Sequence, residues 1–279
     1  MNYSIDQLCK MIRENKLPPN FNQWYLIIDE KGTTIAHFAV KYNWLPSDFD
    51  RWYLRDNRGY TVAHIAAKCN HLPSDFTYWS MSNKSGYTVA HAAARYGYLS
   101  FDFNQWDLAD NSGWTVANES IDYGHIPFNF DKWDTVCNNS SGWTIAHEAA
   151  RYGCLPPNFN QWELADEYGI TVAHIAAEYD NLPPDFNRWD LADNDGSTVA
   201  HTAAACDNLP LDFNQWNLKD RYDDTVAHVA VKHYRLPPNF NQWELVNKFG
   251  DTVAQIAYEY HTLPPDFDRW DLIKKRQED

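Results

Sequence analysis

The 279-residue chain lacks several features that would place it in a broad class. It has no run of about 18 apolar residues, so no membrane-spanning helix is expected. Its opening, MNYSIDQLCKMIRENK, has no apolar core of the kind a secretory signal carries, and a cytoplasmic protein is expected. The five cysteines (Cys9, Cys69, Cys137, Cys154 and Cys206) are odd in number and form no C-x-x-C pair. Reduced thiols fit that pattern better than a disulfide framework. Basic residues are in deficit, 23 against 38 acidic, for a net charge of −15. Direct binding to nucleic acid or to an anionic membrane is therefore not expected. The deficit is uneven: residues 1–140 hold 12 basic and 15 acidic residues, and residues 141–279 hold 11 and 23. Catalytic signatures are missing too. There is no H-E-x-x-H and no Ser/His/Asp arrangement, and the single His147-Glu148 pair reads as chance. No enzyme, cofactor or metal is expected.

What is abundant is aromatic residues, 16% of the chain with 13 Trp, and they recur with a period. A Thr followed by Val or Ile and then Ala stands at Thr34, Thr61, Thr88, Thr115, Thr144, Thr171, Thr198, Thr225 and Thr252. The steps are 27 residues except for one of 29. A Gly stands two residues before each Thr, except at Asp223. The pair F-x-x-W occurs ten times, from Phe21/Trp24 to Phe267/Trp270. A fixed period of this length means a stack of repeats rather than separate globular domains.

Each repeat has a physical reading. The Gly permits the positive φ of a tight turn, and the Thr caps the helix that follows. V-A-H-x-A-A-x-x-G is a short Ala-rich helix whose small residues let a neighbour approach closely. Gly97, Gly124 and Gly153 end it, with Asn43, Asn70 and other polar residues standing in elsewhere. L-P then opens a second short helix, in which Phe and Trp three apart share a face. Neither helix is long enough to stand alone, so stacking must hold them. Each buried ring contributes about 2–3 kcal/mol. The expected fold is an all-α solenoid of about ten helix-turn-helix units in a single domain, 1–279. Residues 1–29 form a capping unit with Leu8, Met11 and Ile12 on one helical face. Residues 30–262 carry the repeats, and 263–279 close the stack.

The G-x-T-x-x-H-x-A-A-x-x-G core, best seen in GWTIAHEAARYGCL at 142–155, resembles the ankyrin repeat over about residues 30–270. It departs from that family in its shorter period, in Val/Ile-Ala where the family has Pro-Leu, and in its abbreviated second helix. The resemblance implies a binding scaffold. It also implies that the repeat histidines bond to the Thr and backbone of the same or next repeat. Those are His37, His64, His91, His147, His174, His201 and His228, with Asn118 and Gln255 in the same place in two repeats. Asn and Gln mimic a neutral imidazole's hydrogen bonds but ligate metal poorly. Neighbouring repeats also hold their histidines about 9–10 Å apart, too far to share one ion. A structural role is expected. The recurrent acidic residues Asp110, Asp166 and Asp193 fit turn chemistry for a similar reason: they recur with the period.

In a repeat protein the positions that vary carry recognition. The residue between Gly and Thr reads Thr33, Tyr60, Tyr87, Trp114, Trp143, Ile170, Ser197, Asp224 and Asp251. Tyr60, Tyr87, Trp114, Trp143 and Ile170 are the candidate partner-binding edge; the alternative is a packing ladder. A second variable position, after the Ala pair, reads Lys41, Lys68, Arg95, Asp122, Arg151, Glu178, Ala205, Lys232 and Glu259. It reads as a solvated helix face, though Arg95 and Arg151 join the candidate binding residues. The fifth repeat is irregular: Asn118-Glu119-Ser120-Ile121 replaces H-x-A-A, and extra residues follow Cys137. The expected function is capture of another protein by a monomer. Arrays of this type resemble those of bacteria and their pathogens, including secreted effectors that act in a host cytosol. Two other readings stand beside it: an acidic surface, formed by the second half, that binds a basic protein or mimics nucleic acid, and an enzyme built on the irregular fifth repeat.

Overall fold

The computed structural model describes residues 3–127, 129–137 and 142–274. The extra residues Asn138–Ser140 of the fifth connector, and the last five residues of the expected C-terminal cap, lie outside them. The chain divides into two compact units, one ending at Lys132 and one beginning at Trp133. The first holds α1 (Ile5–Arg13), α2 (Ile35–Lys41), α3 (Val62–Lys68), α4 (Val89–Arg95) and α5 (Val116–Asp122). The second holds α6 (Ile145–Tyr152), α7 (Val172–Glu178), α8 (Val199–Cys206), α9 (Val226–Lys232) and α10 (Val253–Glu259), with a 3-10 turn at Trp270–Leu272. Within each unit consecutive helices pack side by side in chain order. This is the expected all-α stack. The described residues form no strand, only isolated antiparallel bridges such as Arg55–Thr61. None of their helices is long and apolar enough to cross a membrane.

Helices of seven residues survive because their free ends are satisfied from outside. In α3 the first three N–H groups donate to Leu54 O, Trp52 O and Thr61 Oγ1. Every helix from α2 to α10 follows a capping Thr in extended geometry. At the C-terminal end a left-handed residue stops the helix, as expected for Gly97, Gly124, Gly153, Asn43 and Asn70. Asp180, Asp207, Tyr234 and His261 serve in the same way. The next amide then reaches back to a free carbonyl, as Tyr98 N–H does to Ala93 O.

The second helix does not form. Each L-P-x-D-F-x-x-W-x-L segment is instead two successive β-turns: Phe186 N–H bonds to Pro183 O, and Leu191 N–H to Arg188 O. Pro-Pro-Asp matches the first turn, with its central Pro fixing φ and needing no N–H partner. The short stretch between the turns never accumulates the i→i−4 bonds a helix needs. The rings expected to pack between repeats do so from this turn geometry. In the first unit Phe21, Trp24, Phe49, Trp52, Phe76, Trp79, Phe103, Trp106 and Phe130 form an unbroken edge-to-face chain, with centroids 4.8–5.9 Å apart. The second unit repeats the arrangement from Trp133–Phe159 to Phe267–Trp270. Edge-to-face contact adds to the area term.

The turns between repeats form a second row. Asp56 Oδ1 accepts from the N–H groups of Arg58 and Tyr60, and Asn57 ties its turn to Glu30 O and Lys31 O of the previous one. Gly59 has φ +84°, and a Cβ there would lie 2.9 Å from Lys84 N, so only glycine lets neighbouring turns approach this closely.

The histidines join the two rows. In all seven repeats with His, Nδ1 accepts the N–H of the capping Thr at 3.1–3.2 Å. Nε2 lies 2.9–3.1 Å from a carbonyl oxygen of the next repeat. A backbone N–H can only donate, so Nδ1 is bare and Nε2 carries the proton. Burial holds all seven imidazoles below their ordinary 6.5, His64 down to about 4. The unfolded chain takes up protons near pH 6.5 while the folded chain resists. Stability is therefore complete above that pH and falls as pH drops toward 4. For His64 alone the loss is about 3 kcal/mol. The turn carboxyls of Asp29 and Asp110 act lower still: burial raises them, but hydroxyl and amide donors outweigh it and hold both below 3.8. The urea midpoint is expected to fall steadily between about pH 6.5 and 4; a flat profile there would contradict the imidazole assignment.

Candidate functional site

In the first compact unit the turn row and the helix row enclose a groove of about 470 Å³. Lys31, Asp56, Arg58, Tyr60, Ser85 and Tyr87 come from the turns. His64, Ile65 and Lys68 come from α3, and Ala92, Arg95 and Tyr96 from α4 and its end. The imidazole bridges fix the walls, since His37 holds Tyr60 O and His64 holds Tyr87 O. The groove carries four cations and one carboxylate. Asp56 spends one oxygen on its own turn. Among the described residues Lys31, Arg58 and Lys68 have no ion pair. Lys68 Nζ instead lies 5.6 Å from the Tyr96 ring centroid, and the Arg95 guanidinium 4.5 Å from that of Tyr123.

The structure divides the expected edge residues. Tyr60 and Tyr87 line the groove, with rings 6.4 Å apart. Each also covers the imidazole of its own repeat, Tyr60 over His64 at 5.3 Å and Tyr87 over His91 at 5.1 Å. They are half-buried, and Trp114, beside them in the same unit, is exposed. Trp143 and Ile170 belong to the second unit. Trp143 stacks on His147 at 5.9 Å and donates from Nε1 to Asp166, and Ile170 supplies the carbonyl for His147. Of the two candidate arginines, Arg95 lines the groove. Arg151 lies in the second unit, 5.6–5.8 Å from the rings of Tyr152 and Tyr179.

Sequence reading missed Lys31 and Arg58. Their signal lies in the residue just before each repeat Gly, which is basic only in the repeats of α2 and α3 and then reads Ser85, Ser112 and Ser141. Lys68 stands in the row taken for a plain solvated face. Among the described residues no three His, Cys, Asp or Glu side chains gather as metal ligands. Both nitrogens of every repeat histidine are engaged within the stack.

The irregular fifth repeat keeps its helix. Asn118 stands in for the imidazole, accepting from Thr115 N–H at 3.1 Å and from Thr115 Oγ1 at 2.7 Å. Ser120 occupies the place of an Ala and is fully buried, with no partner for its hydroxyl among the described residues. Ser120→Ala is therefore expected to stabilise the chain by about 1 kcal/mol, read as a raised urea midpoint at unchanged slope. A loss of stability would mean that the hydroxyl is engaged after all.

No family model matches the chain, and no curated protein matches it.

Proposed function

We propose that the chain is a non-enzymatic, ankyrin-like scaffold that captures an acidic segment of a partner protein in the groove of its first unit. One observation carries this reading. On a chain of net charge −15, four cations meet in one groove with three tyrosines, and three of those cations have no ion pair among the described residues. Stability alone gives no reason to gather like charges, which repel one another. An acidic ligand provides one, and the tyrosines add rigid contact area at small entropic cost.

The ankyrin-like part of the reading is supported by the Thr–His cap and its bond to the following repeat. The geometry favours an extended ligand. Neighbouring helices stand about 8–10 Å apart, and an extended chain covers about 10 Å in three residues. Acidic side chains three apart therefore meet the cations of successive repeats.

A fluorescein-labelled peptide with glutamate at every third position is expected to bind the full chain, more weakly as salt rises. Lys68→Glu and Arg58→Glu should each weaken binding by about tenfold or more, with unchanged helical signal. Retained affinity in both variants would refute the groove. A comparable loss in Trp143→Ala would place binding on the aromatic edge instead.

A further inference from the structure

The side chain of Glu119 in α5 is only 7% exposed, and three groups from its own and the preceding repeat converge on it. Tyr87 Oη–H donates to Oε1 at 2.9 Å, and Trp114 Nε1–H donates to Oε2 at 2.8 Å. The Arg95 guanidinium lies 3.7 Å from Oε1. The same position in the preceding helices of this unit holds Phe38, Ile65 and Ala92, none of them charged. Two of the three groups, Tyr87 and Arg95, also line the groove. A phenol, an indole N–H and a guanidinium aimed at one point form a carboxylate-recognition set, and here the chain's own carboxylate fills it.

We infer that this cluster is the anion-binding end of the groove, and that Glu119 occupies it in place of an acidic side chain of the partner, so that Glu119 limits the affinity for acidic segments. The inference rests on the acidic-segment reading above. Glu119 acts in two ways: it offsets the charge of Arg95, and it repels an approaching anion from within a poorly screened site.

Neither groove residue depends on Glu119 for its place. Arg95 stacks on Tyr123, and Tyr87 rests on His91 and Tyr60. Burial and the neighbouring Glu119 carboxylate push the Tyr87 phenol well above its ordinary value, so it stays a donor at neutral pH. Removing the charge of Glu119 should leave both residues in place with the Arg95 charge no longer offset, and truncation to Ala should also free the two donors.

The test is fluorescence anisotropy of labelled poly-glutamate against the full wild-type chain, Glu119→Gln and Glu119→Ala. Ala already stands at this position in α4, so the second variant suits the helix. Both variants are expected to bind about three- to tenfold more tightly than wild type, with the gap narrowing as salt rises. Binding by the variants alone would also support the inference, as complete occupation by Glu119. If wild type binds and the variants bind equally or more weakly, the inference falls while the acidic-segment reading stands. If no form binds, both fall.

Discussion

The structure depends on one buried hydrogen-bonded unit: a neutral imidazole that caps its own helix with Nδ1 and reaches the next repeat with Nε2. It satisfies an N–H at the helix start, where a short helix has the most to lose. The same ring fixes where the following turn sits. The carbonyl it takes belongs to the variable residue between Gly and Thr, so the scaffold bond and the recognition row share a residue. In the first unit His37 and His64 set the backbone of Tyr60 and Tyr87, and with it the width of the groove.

Around that bond the two sides of a repeat divide the work. Small residues on the helices, mostly Ala, let neighbours approach, and within each unit the paired turns send Phe and Trp into an edge-to-face chain. Neither part has enough local structure to persist alone. The second unit follows the same plan with a different surface. Its turn row carries inter-repeat pairs such as Arg221–Asp195 at 2.5 Å and Asn247 to Asp224 at 2.8 Å. Lys219 and Arg221 there pair with carboxylates and Lys248 lies over the Tyr222 ring, whereas Lys31, Arg58 and Lys68 in the first unit have no ion pair among the described residues.

The period, the Thr caps, the left-handed helix ends and the structural histidines were legible because each depends on local chemistry repeated many times. The second helix was misread. Pro followed by Phe and Trp three apart fits both a helix face and two turns, and the choice is made by packing against the next repeat. The site was half legible. Tyr60, Tyr87 and Arg95 stood out as variable positions. Lys31 and Arg58 did not, because their row is unremarkable until the fold brings it opposite Lys68. The convergence of Tyr87, Arg95 and Trp114 on Glu119 joins two neighbouring repeats, and no spacing along the chain announces it.

The most direct measurement is the protonation of the repeat imidazoles, read from long-range proton–nitrogen correlations in nitrogen-15-labelled protein. All seven histidines are expected to bear their proton on Nε2 with Nδ1 bare at neutral pH, and His64 to keep that state well below 6.5. Imidazoles that carry the proton on Nδ1, or that titrate together near 6.5 as free histidines do, would contradict it.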